Sequence, residues 1–248
     1  MSSAGFYRHS HARRLEPGER TEIMAKPEIV SAEEWEQARG ELLVAEKQAT
    51  RTLDALAARR RRLPMVKFGD GYVFDMPDGP KTLADLFDGR DQLVVYQFMN
   101  LGPDRFCPGC TGFVSNIPVR VLGGLARFGV AWAVVSDMPL KQIEDYKAEM
   151  GWTLPFVSSQ GTSFAADCGA GGGFVLSVFL RDGDDVYRTY STTARGVDRL
   201  VFSNNILDLS VYGRQEDWED SPPGWPQRAT YTDEEIELLE TMDSGQVK

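Results

Sequence analysis

The stretch Gln92–Ser115, QLVVYQFMNLGPDRFCPGCTGFVS, restricts the fold more than any other part of the chain. Leu93, Val94, Val95, Tyr96, Phe98 and Met99 form an almost continuous apolar run of β-formers, which predicts a strand covered on both faces. Gly102 and Pro103 end it. Cys107-Pro108-Gly109-Cys110 then opens a helix, with Pro108 placed where a first helical turn needs no N–H. A strand that needs cover on both faces, feeding a helix whose first turn carries two thiols, points to an α/β architecture.

The spacing of the thiols has chemical meaning. A sulfur at a helix N-terminus meets unpaired N–H groups and the positive end of the dipole, both of which favour thiolate. A second cysteine three residues on can close a disulfide within one turn. Cys107 is therefore the expected exposed attacking sulfur and Cys110 the more buried resolving one, a redox pair. The competing reading is two inert thiols retained by packing. A structural zinc takes four ligands, and beyond the pair the chain offers only Cys168 and, in a polar tail, His9 and His11. Neither a metal nor an organic cofactor is expected.

The chain has 248 residues, 42% hydrophobic and 26% charged, which suits one moderate domain with extensions. A net charge of −10 argues against nucleic acid or an anionic membrane as the main partner. Three cysteines in this length do not make a disulfide scaffold. The N-terminal residues have no apolar core of a secretory signal, and Arg13-Arg14 is followed by polar residues, so neither a secretory nor a twin-arginine signal is read. No run approaches a membrane span. The expectation is a cytoplasmic protein.

Taken in order, residues 1–27 read as a disordered tail, with Met24 an alternative start. Both histidines lie there, which removes histidine-assisted hydrolase readings. Residues 28–63 read as a helical extension opened by a Ser31/Glu34 capping box. Trp35, Ala38, Leu42, Ala45, Ala49, Thr52 and Leu56 make one stripe along it, and Arg59–Arg62 suit its C-terminal end. Such a helix is a candidate for packing on a second subunit, giving a homodimer. Val66–Phe68 and Tyr72–Phe74 are expected to form a hairpin turning at Gly69-Asp70-Gly71. Pro118 should kink or break the helix after the cysteines. Gly129–Val135 is a second buried strand, and Leu140–Met150 a helix. Trp132, Trp152 and Phe156 read as core, and Leu154–Val157 as strand-like.

Gly169–Gly173 invites a phosphate-loop reading, but Phe174–Arg181 after it is a strand, so a plain loop is expected. Asp182-Gly183-Asp184 turns the chain into Val186–Tyr190, and a last core helix is expected from Gly196 through Leu209. Gln215–Gln227 is an acidic, proline-rich arm with Trp218 and Trp225, and Thr232 caps a final short helix.

Several segments together, among them EEWEQAR, VSDMPL, MGWT, TTARG and YGRQEDWEDSPPGWPQ, resemble a bacterial thioredoxin-like family of unknown function, the domain-of-unknown-function 899 family, related in fold to thiol-specific antioxidant proteins. The resemblance spans Ile29 to Gln227. It implies a thioredoxin-like central mixed sheet flanked by helices over residues 64–212, with the long N-terminal helix before it and an acidic arm and short helix over 213–248.

It also places Cys107 and Cys110 at the thioredoxin pair. Two departures stand out. The approach to the strand facing the pair, Gly172-Gly173-Phe174, lacks the cis-proline of thioredoxins. The threonine that peroxiredoxins carry three residues ahead of their reactive cysteine is Asp104 here, and an acidic neighbour disfavours a thiolate. Arg105, or Arg195 if the TTARG segment folds over the site, can offset it, and Tyr190 joins them as a candidate binding residue. Cys168 reads as an ordinary buried thiol or a third redox partner. Three activities follow as expectations: a thiol–disulfide oxidoreductase acting on a protein or small-molecule disulfide, a thiol peroxidase using Cys107, or a non-catalytic scaffold that binds a partner through its arm and long helix.

Overall fold

The computed structural model describes residues 25–69 and 71–229. The chain begins with α1 (Ala32–Arg60), β1 (Val66–Phe68), β2 (Val73–Phe74), β3 (Lys81–Thr82) and α2 (Leu83–Leu86). The predicted strand and cysteine helix follow as β4 (Gln92–Gln97) and α3 (Pro108–Ser115), then α4 (Val119–Ala126), β5 (Val130–Ser136), α5 (Leu140–Met150) and β6 (Phe156–Ser158). Next come α6 (Phe164–Asp167), β7 (Val175–Asp182), β8 (Asp185–Thr192), a 3-10 helix (Ala194–Leu200) and α7 (Phe202–Leu207).

Six strands form one mixed sheet in the order β1-β8-β7-β4-β5-β6. β4 lies parallel to β5, with Val95 opposite Ala133, and antiparallel to β7, with Val95 opposite Ser177. A strand–helix–strand unit (β4, α3 and α4, β5) beside a β7–β8 hairpin that feeds a helical segment is a thioredoxin-like fold. The small β2–β3 sheet joins the outer side of β6, where Asp75 and Ser158 exchange backbone hydrogen bonds of 2.8 and 3.1 Å.

The alternation of side chains along a strand divides the interior in two. Leu93, Val95, Ala133, Val135, Val175 and Phe179 face one core, which Phe68, Phe74, Phe87 and Phe164 complete. Tyr96, Phe98, Val134, Phe156 and Leu176 face the other, under Phe113 of α3 and Ile143 and Tyr146 of α5. Because both faces are covered, β4 shows the unbroken apolar run and not a polar alternation. Trp132, Trp152 and Phe156 all pack in or against this second core, as read from the sequence.

The helix after the cysteines is broken at Pro118, which directly precedes α4. The expected hairpin of Val66–Phe68 with Tyr72–Phe74 does not form. β1 pairs instead with β8, Phe68 opposite Val186, and β2 pairs with β3. Two such short strands gain little from each other in isolation, whereas the β8 edge delivers the Phe68 ring to within 4.9 Å of Phe179. The last core helix is also interrupted, since Val201 is extended (φ −89°, ψ 110°) between the 3-10 helix and α7. The Asn205 amide donates to the carbonyls of Val201 (2.7 Å) and Arg199 (3.2 Å), a side chain competing for backbone acceptors at the junction.

Ser31 and Glu34 close the expected capping box on α1. No residue of α1 is buried. Among the described residues, no helix is long and apolar enough to cross a membrane. His9, His11, Met24, Asp70 and Thr232 lie outside the described residues.

Cys168 sits in the first core, on the opposite side of the sheet from Cys107 and Cys110, so it has no path to that pair in the folded chain. Burial pushes its thiol up to about 12. An unfolded thiol ionises near 9, so the unfolded chain releases a proton that the folded chain holds. This contribution to stability is complete below about pH 9 and lost as pH rises toward 12. Urea midpoints taken across that window should fall, and Cys168→Ala should flatten the decline.

Candidate active site

The redox candidate is built where β4 has ended and α3 begins. The intervening loop is closed by a backbone bridge between Asn100 and Phe106. Gly102 makes its turn at φ 92°, donates its N–H to Asn100 Oδ1 at 2.9 Å, and offers its carbonyl to the Gln142 amide of α5 at 3.0 Å. The Phe106 ring stacks on Tyr146 with centroids 3.5 Å apart, and the Tyr146 hydroxyl meets Thr111 Oγ1 at 2.7 Å. α5 therefore holds the loop on one side of the cysteines and α3 on the other.

Cys107 is the N-cap of α3, in extended conformation (φ −64°, ψ 119°), and its Sγ accepts the Cys110 N–H at 3.3 Å. Cys107 is half-buried, whereas Cys110, one turn inward, is 1% exposed. No disulfide joins any of the three cysteines. Burial pushes the Cys110 thiol well up, and its hydrogen bond to Cys107 and the charge of that sulfur push further. The Met99 N–H and the Tyr96 hydroxyl, both hydrogen-bonded to Cys110, act in the opposite sense. Cys110 thus keeps its proton and presents it to Cys107, so two donors converge on one accessible sulfur.

Tyr96 is itself buried, its ring stacked on Phe113 at 4.1 Å. Burial first, then the Cys110 charge and the hydrogen bond to Cys110, raise its phenol, which therefore stays protonated and can donate to the Cys110 sulfur. Sequence reading missed Tyr96, Thr111, Tyr146 and Gln142 as parts of the site. The available signal was Tyr96 as the lone hydroxyl within LVVYQF.

The other candidates are dispersed. Arg105 is exposed on the loop two residues before Cys107, and Asp104 beside it is exposed at φ 56°. Arg195 is exposed beside the arm: its guanidinium stands 3.4 Å from the Trp218 ring centroid and its Nε 3.5 Å from Asp198. Tyr190 is level with Val178, which is level with Val94, so it is two strands away from β4 and short of its end. Arg60 covers its ring at 5.4 Å. Arg195 is thus partnered by Trp218 and Asp198, and Tyr190 by Arg60.

The approach to β7 passes Gly172 (φ 88°), and Phe174 then packs 5.7 Å from Tyr96 while its carbonyl accepts the Thr193 hydroxyl at 2.7 Å. No cis peptide bond occurs among the described residues. Beside the loop runs a groove of about 370 Å³, with Pro103, Asp104, Phe106, Gln142, Tyr146 and Glu149 among its walls. It begins one residue from Cys107. Among the described residues, no group of three or more His, Cys, Asp or Glu is placed to hold a metal.

No curated protein matches the chain. Among solved structures, it is similar to the peroxidoxin BcpB of Mycobacterium tuberculosis, with 17% identity, a TM-score of 0.38, and 51% of this chain and 86% of that one covered. It is likewise similar to a PrxQ mutant of Xylella fastidiosa, with 18% identity, a TM-score of 0.37, and coverage of 57% and 94%. A secreted M. tuberculosis disulfide oxidoreductase homologous to E. coli DsbE gives 14% identity, a TM-score of 0.36, and coverage of 52% and 91%. At these values the activities of those proteins stay with them. The match to a family model is far more extensive, running over residues 24–233, and by it the chain belongs to the family described as bacterial protein of unknown function (DUF899).

Proposed function

We propose that the chain is a thiol–disulfide oxidoreductase in which Cys107 attacks and Cys110 resolves. The asymmetry of the two thiols supports this reading most directly. One turn of α3 holds a half-buried sulfur that receives the Cys110 N–H and a buried thiol that hydrogen-bonds to it. The Cys107 thiolate attacks one sulfur of a protein or small-molecule disulfide. A Cys107–substrate disulfide forms, and the other substrate sulfur leaves as thiolate and takes up a proton. Once Cys107 is uncharged in that mixed disulfide, its push against Cys110 ionisation disappears, while the Tyr96 and Met99 donors remain. The Cys110 thiol then gives up its proton and attacks Cys107 Sγ, closing the intramolecular disulfide and releasing the second substrate thiol. Two electrons pass from the pair to the substrate, and an external dithiol restores it, as a reducing cytoplasm would.

Reduction of an aromatic disulfide, followed by release of its coloured thiol, tests the reading. Turnover with dithiothreitol is expected. Vigorous consumption of hydrogen peroxide with no disulfide reduction would transfer the assignment to a peroxidase. Tyr96→Phe should leave the first burst of released thiol unchanged and slow resolution roughly tenfold, the scale of one hydrogen bond to a charged group. Quenched-flow mass spectrometry of the mixed disulfide reads the two steps separately.

A further inference from the structure

We propose that α1 is a dimerisation arm that pairs antiparallel with α1 of a second copy of this chain. At 29 residues α1 is about 43 Å long. None of its residues is buried, and Trp35 and Leu42 are each 56% exposed. Only near its C-terminal end, at Leu53, Ala57 and Ala58, is it half-buried beyond an isolated position, and there Arg60 rests on Tyr190. Its stripe of Trp35, Ala38, Leu42, Ala45, Ala49, Thr52 and Leu56 is spaced alternately by three and four residues, which is the seam of a coiled coil and not the wider face of a helix lying on a sheet.

Charge selects the occupant and its direction. The first half of α1 carries Glu33, Glu34, Glu36 and Glu41 against a single Arg39, and is net negative. The second half carries Lys47, Arg51, Arg59 and Arg60 against Glu46 and Asp54, and is net positive, with Arg61 and Arg62 just beyond. A parallel pair would set like halves together. An antiparallel pair of identical helices sets each acidic half against a basic one, so the helix is complementary to itself under a two-fold axis.

The seam agrees with that direction. In an antiparallel coiled coil the two alternating seam positions face one another, which places Trp35 opposite Thr52, Ala38 opposite Ala49, and Leu42 opposite Ala45. Each large side chain then meets a small one, and the axis passes between Leu43 and Val44. This pairing is independent of the chemistry at Cys107.

Light scattering on the full chain tests it first. The expected mass is twice 27.6 kDa, and Leu42→Lys, a change at an exposed position of the single chain, should halve it without loss of helical circular dichroism. A wild-type mass of one chain overturns the proposal, as does a Leu42→Lys chain that remains dimeric. Direction is read with Trp35→Cys and Thr52→Cys, each in a chain also carrying Cys107→Ser and Cys110→Ser. Oxidised together they should yield a cross-linked dimer, and separately they should not. Cross-linking of either variant with itself when oxidised alone, or no mixed Trp35→Cys/Thr52→Cys dimer in the mixture, overturns the antiparallel register.

Discussion

Replacing Cys107 by serine is expected to abolish disulfide reduction, by roughly a thousandfold or more, the scale on which loss of a nucleophile is felt. The replacement leaves the fold intact for a local reason. Cys107 is the N-cap of α3, and serine caps a helix N-terminus well. Unfolding therefore does not confound the result. Cys110 cannot stand in, because it is buried and its thiol is held well above its ordinary value by that burial and by Cys107. Cys110→Ser should behave differently: one equivalent of substrate thiol is released, and the chain stops as a mixed disulfide at Cys107. Intact-mass spectrometry before and after dithiothreitol distinguishes the two variants. Equal activity in wild type and Cys107→Ser would remove the catalytic assignment altogether.

Phe164→Ala is expected to cost about 3–5 kcal/mol, the usual price of emptying a buried aromatic site. The ring is fully buried in the first core. It stands edge-on to Tyr72 at 5.2 Å, Phe74 at 5.0 Å and Phe68 at 6.0 Å, and tilted to Phe179 at 6.3 Å. Those neighbours come from β1, β2, β7 and the loop between β1 and β2, so the side chain ties the small sheet to the large one. A melting temperature lower by roughly 10 °C is the corresponding shift for a domain of this size. The cysteines lie across the sheet, so alkylation of Cys107 in the folded fraction should keep its wild-type rate. A loss below 1 kcal/mol in urea titration would show that the cluster closes over the gap.

What the sequence disclosed and what it withheld divide by the range of the interactions. β4 and α3 were legible because an apolar run and a Cys-Pro-Gly-Cys start are local patterns, and the relation of Cys107 to Cys110 lies within one helical turn. The break at Pro118 was equally local. The Gly69–Gly71 turn signal misled because β1 takes its partner from β8, far along the chain, where the gain is Phe68 against Phe179. Arg195 followed the same logic: nothing near it in sequence announces that its guanidinium will stack on Trp218 of the arm. The role of Tyr96 depends on which face of β4 it occupies and on Cys110 standing beneath that face, a relation set only when helix and sheet pack.

The exchange of backbone hydrogen bonds between Asp75 and Ser158 has a consequence for life in a crowded solution. β6 is the last strand on its side of the sheet, and an unpaired strand margin is a template onto which other chains can add. Here the strand is only three residues long, and its last residue, Ser158, is already paired from within the same molecule. At the far side β1 is equally short, and the pairing of its Lys67 with Asp185 at 2.6 Å ties it to β8, its inner neighbour. Margins this short offer an incoming strand few backbone groups to pair with, and on the β6 side those of Ser158 are already taken.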